Sequence, residues 1–479
     1  MRSLFFKDTI VYGLGKGIKK FIGLFLLPFY TRALTPEDYG LLSTLGTFTM
    51  LLSAFMNFGL DSATGFYYFR AHSMMEKGKV LFTHFVIRLA GIIPPLILSF
   101  FSARLSVFFF KTQEYTWLIF ISIILVPVNL LMSEQSHIYR YYRKPWQYNV
   151  ITVIKSLVNI GVGISLVVIL KWGVIGAQLA SIISSTVVVI GSLILYTGKR
   201  YTWSFSFYWA RKMLRFGFPL IWAGLAAWVY NSSDRFFLLH YSNLTEIGYY
   251  SVGNTFSQPI QLLNMAVQMS FGVLFFKLYN EEKNPEKPEA KKMAVESYTL
   301  YLGISVLLAT LLSLFGTDLV NLVATKDYGK GALAIPFLTF SFIAAQSYQT
   351  MGPGITLAEK NWHYTWITIL TALLNIGLNF VFIPRWGFIG AAGSTLISFV
   401  VYWQVKQWVA GKYFPVNYPM LKILIYFLLG FVISVIIPLL ETKFILGNLY
   451  LLKIICLLLL TVLSQVFGFI PTNNWIIKS

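Results

Sequence analysis

One seven-residue motif occurs twice in the chain: it reads KWGVIGA at residues 171–177 and RWGFIGA at residues 385–391. A second pair lies upstream of each copy, where KPWQY at residues 144–148 returns as KNWHY at residues 360–364. The tripeptide Asn-Ile-Gly stands between the two motifs in both copies. These matches indicate an internal duplication, and long apolar runs fill each copy. Duplicated bundles of membrane helices, with a ligand site between the halves, are typical of secondary transporters.

Composition indicates a membrane protein. Of the 479 residues, 57% are hydrophobic and only 12% are charged, which suits a bundle in a bilayer better than a soluble core. The net charge of +20 does not point to nucleic acid, because the basic residues lie in short links between apolar runs. About fourteen runs are long enough to cross a bilayer as helices, namely 10–31, 40–60, 80–102, 116–138, 149–170, 174–196, 215–233, 247–274, 295–316, 331–353, 363–384, 388–409, 421–440 and 448–470.

The sequence therefore predicts an all-α polytopic membrane protein. We expect a six-helix lobe at residues 1–206, a second six-helix lobe at 207–413, and two additional transmembrane helices at 414–479. Six spans separate equivalent positions, an even number, so the repeats are parallel. Lys and Arg concentrate in the links that are cytosolic when the N-terminus is inside, which places both termini in the cytosol.

Several classes of site are missing from the sequence. No Gly-rich loop with a Lys-Ser or Lys-Thr ending is present, so no ATP site is expected. The five His residues lack metal-ligand spacing, and Cys456 is the only cysteine, so we predict no metal site and no cofactor. The N-terminus reads as a retained first helix rather than a cleaved signal peptide, because Lys residues interrupt its apolar centre.

Cations inside the apolar runs are the strongest functional signal. Lys16, Lys19 and Lys20 share one helix face, while Arg88 and Lys155 lie within the third and fifth runs. Buried charges in a membrane are costly and face a cavity or a partner. For the three N-terminal lysines the alternative is snorkelling to the cytosolic headgroups. A cationic first half favours an anionic ligand, such as a phosphate or pyrophosphate headgroup.

Acidic residues inside or at the ends of the runs are scarcer. Asp61 ends the second run, Glu134 lies late in the fourth, and Asp234 ends the seventh. A carboxylate in such a place can carry a proton or bind Na⁺, so these three are the candidates for possible Na⁺ or H⁺ coupling. Asp234 next to Arg235 is alternatively an outer-surface ion pair that contributes little.

Five segments together resemble the polysaccharide-biosynthesis flippases, a family of lipid-linked oligosaccharide exporters that includes O-antigen flippases. The segments are LLPFYTRALTPEDYG at residues 26–40, FGLDSA at 58–63, RKPW at 143–146, FGFPL at 216–220 and SDR at 233–235. The family belongs to a superfamily shared with lipid II flippases and multidrug and toxin extrusion proteins. The resemblance implies two lobes around a V-shaped central cavity, lined in relatives by basic residues. Arg32 and Arg215 complete our set of candidate substrate-binding residues.

The resemblance implies a secondary transporter, not an enzyme. Its activity would be to move an undecaprenyl-pyrophosphate-linked oligosaccharide, an O-antigen or similar lipopolysaccharide unit, from the cytosolic to the periplasmic leaflet by alternating access. The expected location is the bacterial inner membrane. Expected partners are the lipid-linked substrate, membrane lipids and other glycan-assembly membrane proteins, with a monomeric chain and no nucleic acid. The alternatives are a multidrug or cation extruder, a lipid II flippase, or a membrane glycan polymerase or ligase, which would need a large outer loop with catalytic groups.

Overall fold

The protein is described by a computed structural model that covers residues 24–351, 353–360, 362–443 and 449–470. Within these ranges every regular element is a helix, as the sequence predicts. The chain divides into two compact units between Gly248 and Tyr249. Residues 207–248 therefore belong to the first unit, while the lobes bounded at residue 206 remain a prediction about the transporter as a whole.

The first unit consists of helices that alternate between long spans and short segments. They are α1 (described over residues 24–33), α2 (Pro36–Met56), α3 (Leu60–Arg70), α4 (Met74–Ala90), α5 (Ile93–Ser99), α6 (Ser102–Phe110), α7 (Thr116–Tyr141), α8 (Pro145–Gly163, extended by a π-helical turn at Ile164–Ile169), α9 (Gly173–Ser192, followed by a π turn at Leu193–Thr197 and a 3₁₀ turn at Gly198–Arg200), α10 (Phe207–Ser232) and α11 (Asp234–Tyr241).

The second unit begins inside a long helix and ends with the two C-terminal helices. Its helices are α12 (Leu244–Glu281), α13 (Pro288–Leu314), α14 (Gly316–Val323), a 3₁₀ helix at Lys326–Ala334, α15 (Ile335–Met351), α16 (Pro353–Leu357), α17 (Trp362–Gly411), α18 (Met420–Lys443) and α19 (Tyr450–Val466).

Ten stretches of helix in the described residues are long and apolar enough to cross a membrane, and α19 is a shorter apolar helix. One of the ten, α17, contains two of the predicted spans, because its backbone turns at Gly387 with φ of 52°. Most of the predicted span 10–31 lies outside the described residues. The protein is thus a multi-pass helical membrane protein, and the count of fourteen spans remains a prediction.

The duplicated motif forms the same turn in both copies. Gly173 and Gly387 have φ of 55° and 52°, a left-handed conformation that glycine adopts without steric cost. Three residues later a second glycine packs against the preceding helix. A Cβ on Gly176 would lie 3.1 Å from the carbonyl carbon of Leu166, and one on Gly390 would lie 2.3 Å from the carbonyl oxygen of Phe382. The duplicated Trp-Gly dipeptides thus form a tight turn in each copy.

A break within the second predicted span separates α2 from α3. Helix α2 starts at a capping box, where the Thr35 hydroxyl accepts from the Asp38 amide and the Asp38 carboxylate accepts from the Thr35 amide. It ends at Met56 because Phe58 and Gly59 both have positive φ, 48° and 61°. The break lies close to α10: a Cβ on Gly59 would lie 2.5 Å from the carbonyl oxygen of Gly217.

The start of α2 makes an equally close contact with the start of α12. A Cβ on Gly40 would lie 1.8 Å from the carbonyl oxygen of Leu244, and one on Gly248 would lie 2.0 Å from that of Pro36. Each glycine therefore accommodates the backbone of the other segment.

Candidate functional site

Five titratable side chains come together inside the first unit, on α3, α4 and α7. Asp61 lies in the first turn of α3. His84 and Arg88 are four residues apart on α4, and Glu134 and His137 are three residues apart on α7, so each pair shares a helix face. We call these five residues the buried cluster.

Arg88 is the centre of the buried cluster and is almost fully buried, with 3% of its surface exposed. One terminal nitrogen donates to the Asp61 carboxylate at 2.9 Å and to the side-chain oxygen of Asn57. The other lies 3.4 Å from the backbone carbonyls of Met56 and Asn57, and Nε donates to Nε2 of His84 at 3.1 Å. The guanidinium therefore satisfies carbonyls at the end of α2 and connects the helix break to α4.

Asp61 connects the buried cluster to its more exposed edge. Its second carboxylate oxygen lies 3.8 Å from Nε2 of His137, and its backbone carbonyl accepts from the Tyr141 hydroxyl at 3.0 Å. The Asp61 and His137 side chains are 18% and 24% exposed. The ion pair between Asp61 and Arg88 thus has one fully buried partner and one partner with access to its surroundings.

Glu134 occupies the deepest position. Its surface is 1% exposed, and Oε1 accepts from the Tyr201 hydroxyl at 3.3 Å and lies 3.9 Å from Nδ1 of His84. Within the described residues, Oε2 has no hydrogen-bond partner. Tyr201 also accepts from the Gln135 amide at 3.2 Å, which fixes the phenol beside the carboxyl group.

The remaining cationic candidates lie apart from the buried cluster. Lys16, Lys19 and Lys20 are outside the described residues. Arg32 and Arg215 are exposed, which leaves both available to a ligand. Lys155 is half-buried on α8, where its ammonium lies 4.0 Å from the Met132 sulfur.

Asp234, the last acidic candidate, is buried at the start of α11. The neighbouring Arg235 donates to the Ser43 hydroxyl of α2 at 2.8 Å. The structure therefore brings together three of the residues that the sequence singled out, Arg88, Asp61 and Glu134.

Sequence reasoning missed the two histidines of the buried cluster because they lack metal-ligand spacing. The spacing of His84 from Arg88 and of His137 from Glu134 was a usable signal, since residues three or four apart share a face. Within the described residues, no three His, Cys, Asp or Glu side chains form a group that could hold a metal ion.

Two further buried lysines lie in the second half of the chain. Lys453 on α19 is fully buried and binds Asp318 at 3.2 Å and Glu441 at 2.9 Å. Lys406 on α17 is 2% exposed, and its ammonium lies over the rings of Tyr364 and Tyr402.

A family model described as polysaccharide biosynthesis protein matches residues 5–276, more than half of the chain. The chain belongs to the polysaccharide biosynthesis protein family. An uncharacterized membrane protein of Methanocaldococcus jannaschii is 25% identical to this family member over 255 residues. That match covers 51% of this chain and spans about half, 48%, of the relative.

Two solved transporters share the fold of this polysaccharide biosynthesis family member. The inward closed conformation of the lipid II flippase MurJ superposes with a TM-score of 0.73, covering 96% of this chain and 98% of that chain at 19% identity. An inward-facing multidrug resistance MATE family transporter of the MOP superfamily gives 0.63, covering 82% and 94% at 16% identity. These identities show the fold alone. The expected family and the all-α membrane fold are confirmed.

Proposed function

We propose that the protein is a flippase for an undecaprenyl-pyrophosphate-linked oligosaccharide, an O-antigen or similar surface glycan unit. It would move this substrate from the cytosolic to the periplasmic leaflet of the bacterial inner membrane. The observation that carries the proposal is membership of the polysaccharide biosynthesis family by a chain whose fold, over 96% of its length, is that of a lipid flippase.

Physical chemistry explains why such a substrate needs a protein. Its sugar hydroxyls and pyrophosphate charges would lose their water in the hydrocarbon, and burying unpaired polar and charged groups is strongly unfavourable. A cationic central cavity between the two six-helix lobes would replace that water while the polyprenyl chain remains in lipid. Alternating access of the lobes would then expose the headgroup to each side in turn.

Two kinds of basic residue support the cationic cavity in different ways. Arg32 and Arg215 are exposed on the described surface and are direct candidates for phosphate contacts, as are Lys16, Lys19 and Lys20. Arg88 is held by protein acceptors in this structure, so phosphate binding by Arg88 requires another conformation. Lys155 is half-buried and remains a candidate.

The transport cycle needs an energy source other than a nucleotide. An empty cationic cavity that returns inward carries positive charge, and the membrane potential supplies about 2.3 kcal/mol per charge per 100 mV for that step. A loaded cavity is nearly neutralised by the pyrophosphate. We therefore expect dissipation of the potential to slow flipping even without Na⁺ or proton gradients.

Reconstitution tests the proposal directly. The purified protein in vesicles should transfer a fluorescent undecaprenyl-pyrophosphate-linked saccharide between leaflets, and Arg32→Ala or Arg215→Ala should slow the transfer at least several-fold. Arg104→Ala is the matched control, because Arg104 is exposed and is not a cavity candidate.

The rival functions are outcomes of the same assay. Transport of lipid II alone would identify a lipid II flippase, and transport of organic cations alone would identify a multidrug extruder. Elongation of the saccharide would identify a polymerase or ligase. Absence of glycan transfer would refute the proposal.

A further inference from the structure

Glu134 is a buried carboxyl group that no Lys or Arg contacts in the part of the chain that the structure describes. The side chain is 1% exposed, and within the described residues no Lys or Arg nitrogen lies within 4.0 Å of it. One carboxyl oxygen accepts from Tyr201, and the other has no hydrogen-bond partner among the described residues. A buried ionised carboxylate without a cation is strongly unfavourable, so the negative charge must be neutralised in some other way.

His84 cannot provide the missing charge in this arrangement. Nε of Arg88 always carries a hydrogen and donates it to Nε2 of His84 at 3.1 Å, so that nitrogen must hold a lone pair. The imidazole is therefore neutral, with its proton on Nδ1, which lies 3.9 Å from Glu134. Among the described residues, a proton on the Glu134 carboxyl group is the remaining means of neutralising the charge.

The groups around Glu134 link it to the edge of the buried cluster. Successive distances are 3.9 Å from Glu134 to His84, 3.1 Å to Arg88, 2.9 Å to Asp61 and 3.8 Å to His137. A guanidinium does not release its proton, so this row of side chains does not conduct protons. It couples the charge on Glu134 electrostatically to Asp61 and His137. Charged and titratable groups from every neighbouring element face the site: Asp61 from α3, His84 and Arg88 from α4, His137 and Tyr141 from α7, and Tyr201 after α9. The ammonium group of Lys155 on α8 lies beside the Met132 sulfur instead.

We propose that Glu134 is a proton-binding site whose charge controls the Asp61–Arg88 pair at the break between α2 and α3. When the Glu134 proton leaves for water, the new carboxylate attracts Arg88 and favours a second proton on His84. That second proton needs Nε2 of His84, which Arg88 now occupies. Deprotonation therefore weakens the bonds of Arg88 to Asp61 and to the end of α2.

The consequence is a helix break that responds to proton occupancy. Protonated Glu134 leaves Arg88 bound to the carbonyls and side chains at the break, and ionised Glu134 releases them. In a flippase this links a proton to the movement of α2 and α3. That last step rests on the proposed function, whereas the proton site and its effect on the break do not.

Infrared spectroscopy of the protein in lipid nanodiscs, without substrate, tests the proton site. We expect the C=O stretching band of a protonated, buried carboxyl group at neutral pH. Glu134→Gln should abolish it, and Glu114→Gln should leave it unchanged because Glu114 is exposed on a link. Tyr201→Phe should shift the band, since its hydrogen bond to Oε1 is lost, and this variant identifies the band even if Glu134→Gln does not fold. The proton site would be refuted if the wild type showed no such band. It would also be refuted if the band persisted in Glu134→Gln or kept its frequency in Tyr201→Phe.

Hydrogen exchange tests the coupling. After correction for the intrinsic effect of pH, residues 57–63 should exchange at least several-fold faster above the titration midpoint of the infrared band. Glu134→Gln, a permanent mimic of the protonated group, should remove this dependence while leaving exchange in α13 unchanged. An equal pH response in both proteins would overturn the coupling but not the proton site. Failure of glycan flipping would affect neither result.

Discussion

Breaking the Asp61–Arg88 ion pair by substitution should lower the free energy of unfolding. The loss should be larger when the carboxylate is removed than when the guanidinium is removed. Removing one partner of a buried ion pair costs about 3–5 kcal/mol. The Arg88 side chain is 2% exposed, so Asp61→Asn leaves a buried cation without a counterion, and we expect a cost near 5 kcal/mol. The Asp61 side chain is 18% exposed and faces His137, so Arg88→Met should cost about 3 kcal/mol.

The double variant, Asp61→Asn with Arg88→Met, measures the energetic coupling between the two side chains. With both charges gone no uncompensated charge remains, so the combined loss should be smaller than the sum of the single losses by about 2–3 kcal/mol. The free energy of unfolding is measured by steric trapping in lipid bicelles. The pair Lys277–Glu281 is the matched control, because both side chains are about half exposed and their coupling should be about 0.3–0.5 kcal/mol. Additive losses at Asp61 and Arg88, or a larger loss in Arg88→Met, would refute the reasoning.

Three further outcomes follow from other parts of the molecule. Asp318→Asn and Glu441→Gln should each lower the free energy of unfolding by under about 1 kcal/mol, because Lys453 retains one carboxylate. The double variant should lower it by about 3–5 kcal/mol, because the ammonium group is then buried without a counterion. Equal and additive shifts in thermal stability would contradict this. Gly40→Ala should destabilise the protein by about 1–3 kcal/mol through the clash with the facing backbone, whereas Gly46→Ala, with no atom of the described residues within 4 Å of the added carbon, should not. Single-cysteine labelling in a cysteine-free background should show cytosolic access at Lys77, Lys199 and Lys287 and outer access at Arg104 and Lys326; outer labelling at residue 287 would rule out the predicted topology.

The features predictable from the sequence are those that leave a local signature. A left-handed turn selects glycine, and the duplicated Trp-Gly dipeptides are the sequence signature of the turns at Gly173 and Gly387. Likewise, the length of an apolar run reflects the thickness of the bilayer, which made the helical spans visible. The family motifs predicted the transporter fold and the general class of function.

The buried cluster could not be predicted, because it depends on how each helix is rotated about its axis. Arg88 was assigned to substrate binding, and Asp61 and Glu134 were assigned to ion coupling, as if they were independent. Whether two such residues meet is decided by packing between α3, α4 and α7, which no spacing within one helix reveals. The complementary charges of Arg88 and Asp61 were the available hint.

The Asp61–Arg88 pair also bears on how the chain enters the membrane during synthesis. An Arg or Asp at the centre of an isolated helix raises its insertion free energy by about 2.5–3.5 kcal/mol. The two residues lie on helices joined by the short link between Arg70 and Met74, so both leave the ribosome within a few seconds of each other at about 5–20 residues per second. If α3 and α4 insert as one hairpin, each charge enters the lipid already neutralised by the other. We therefore expect α4 to insert poorly without the helix before it.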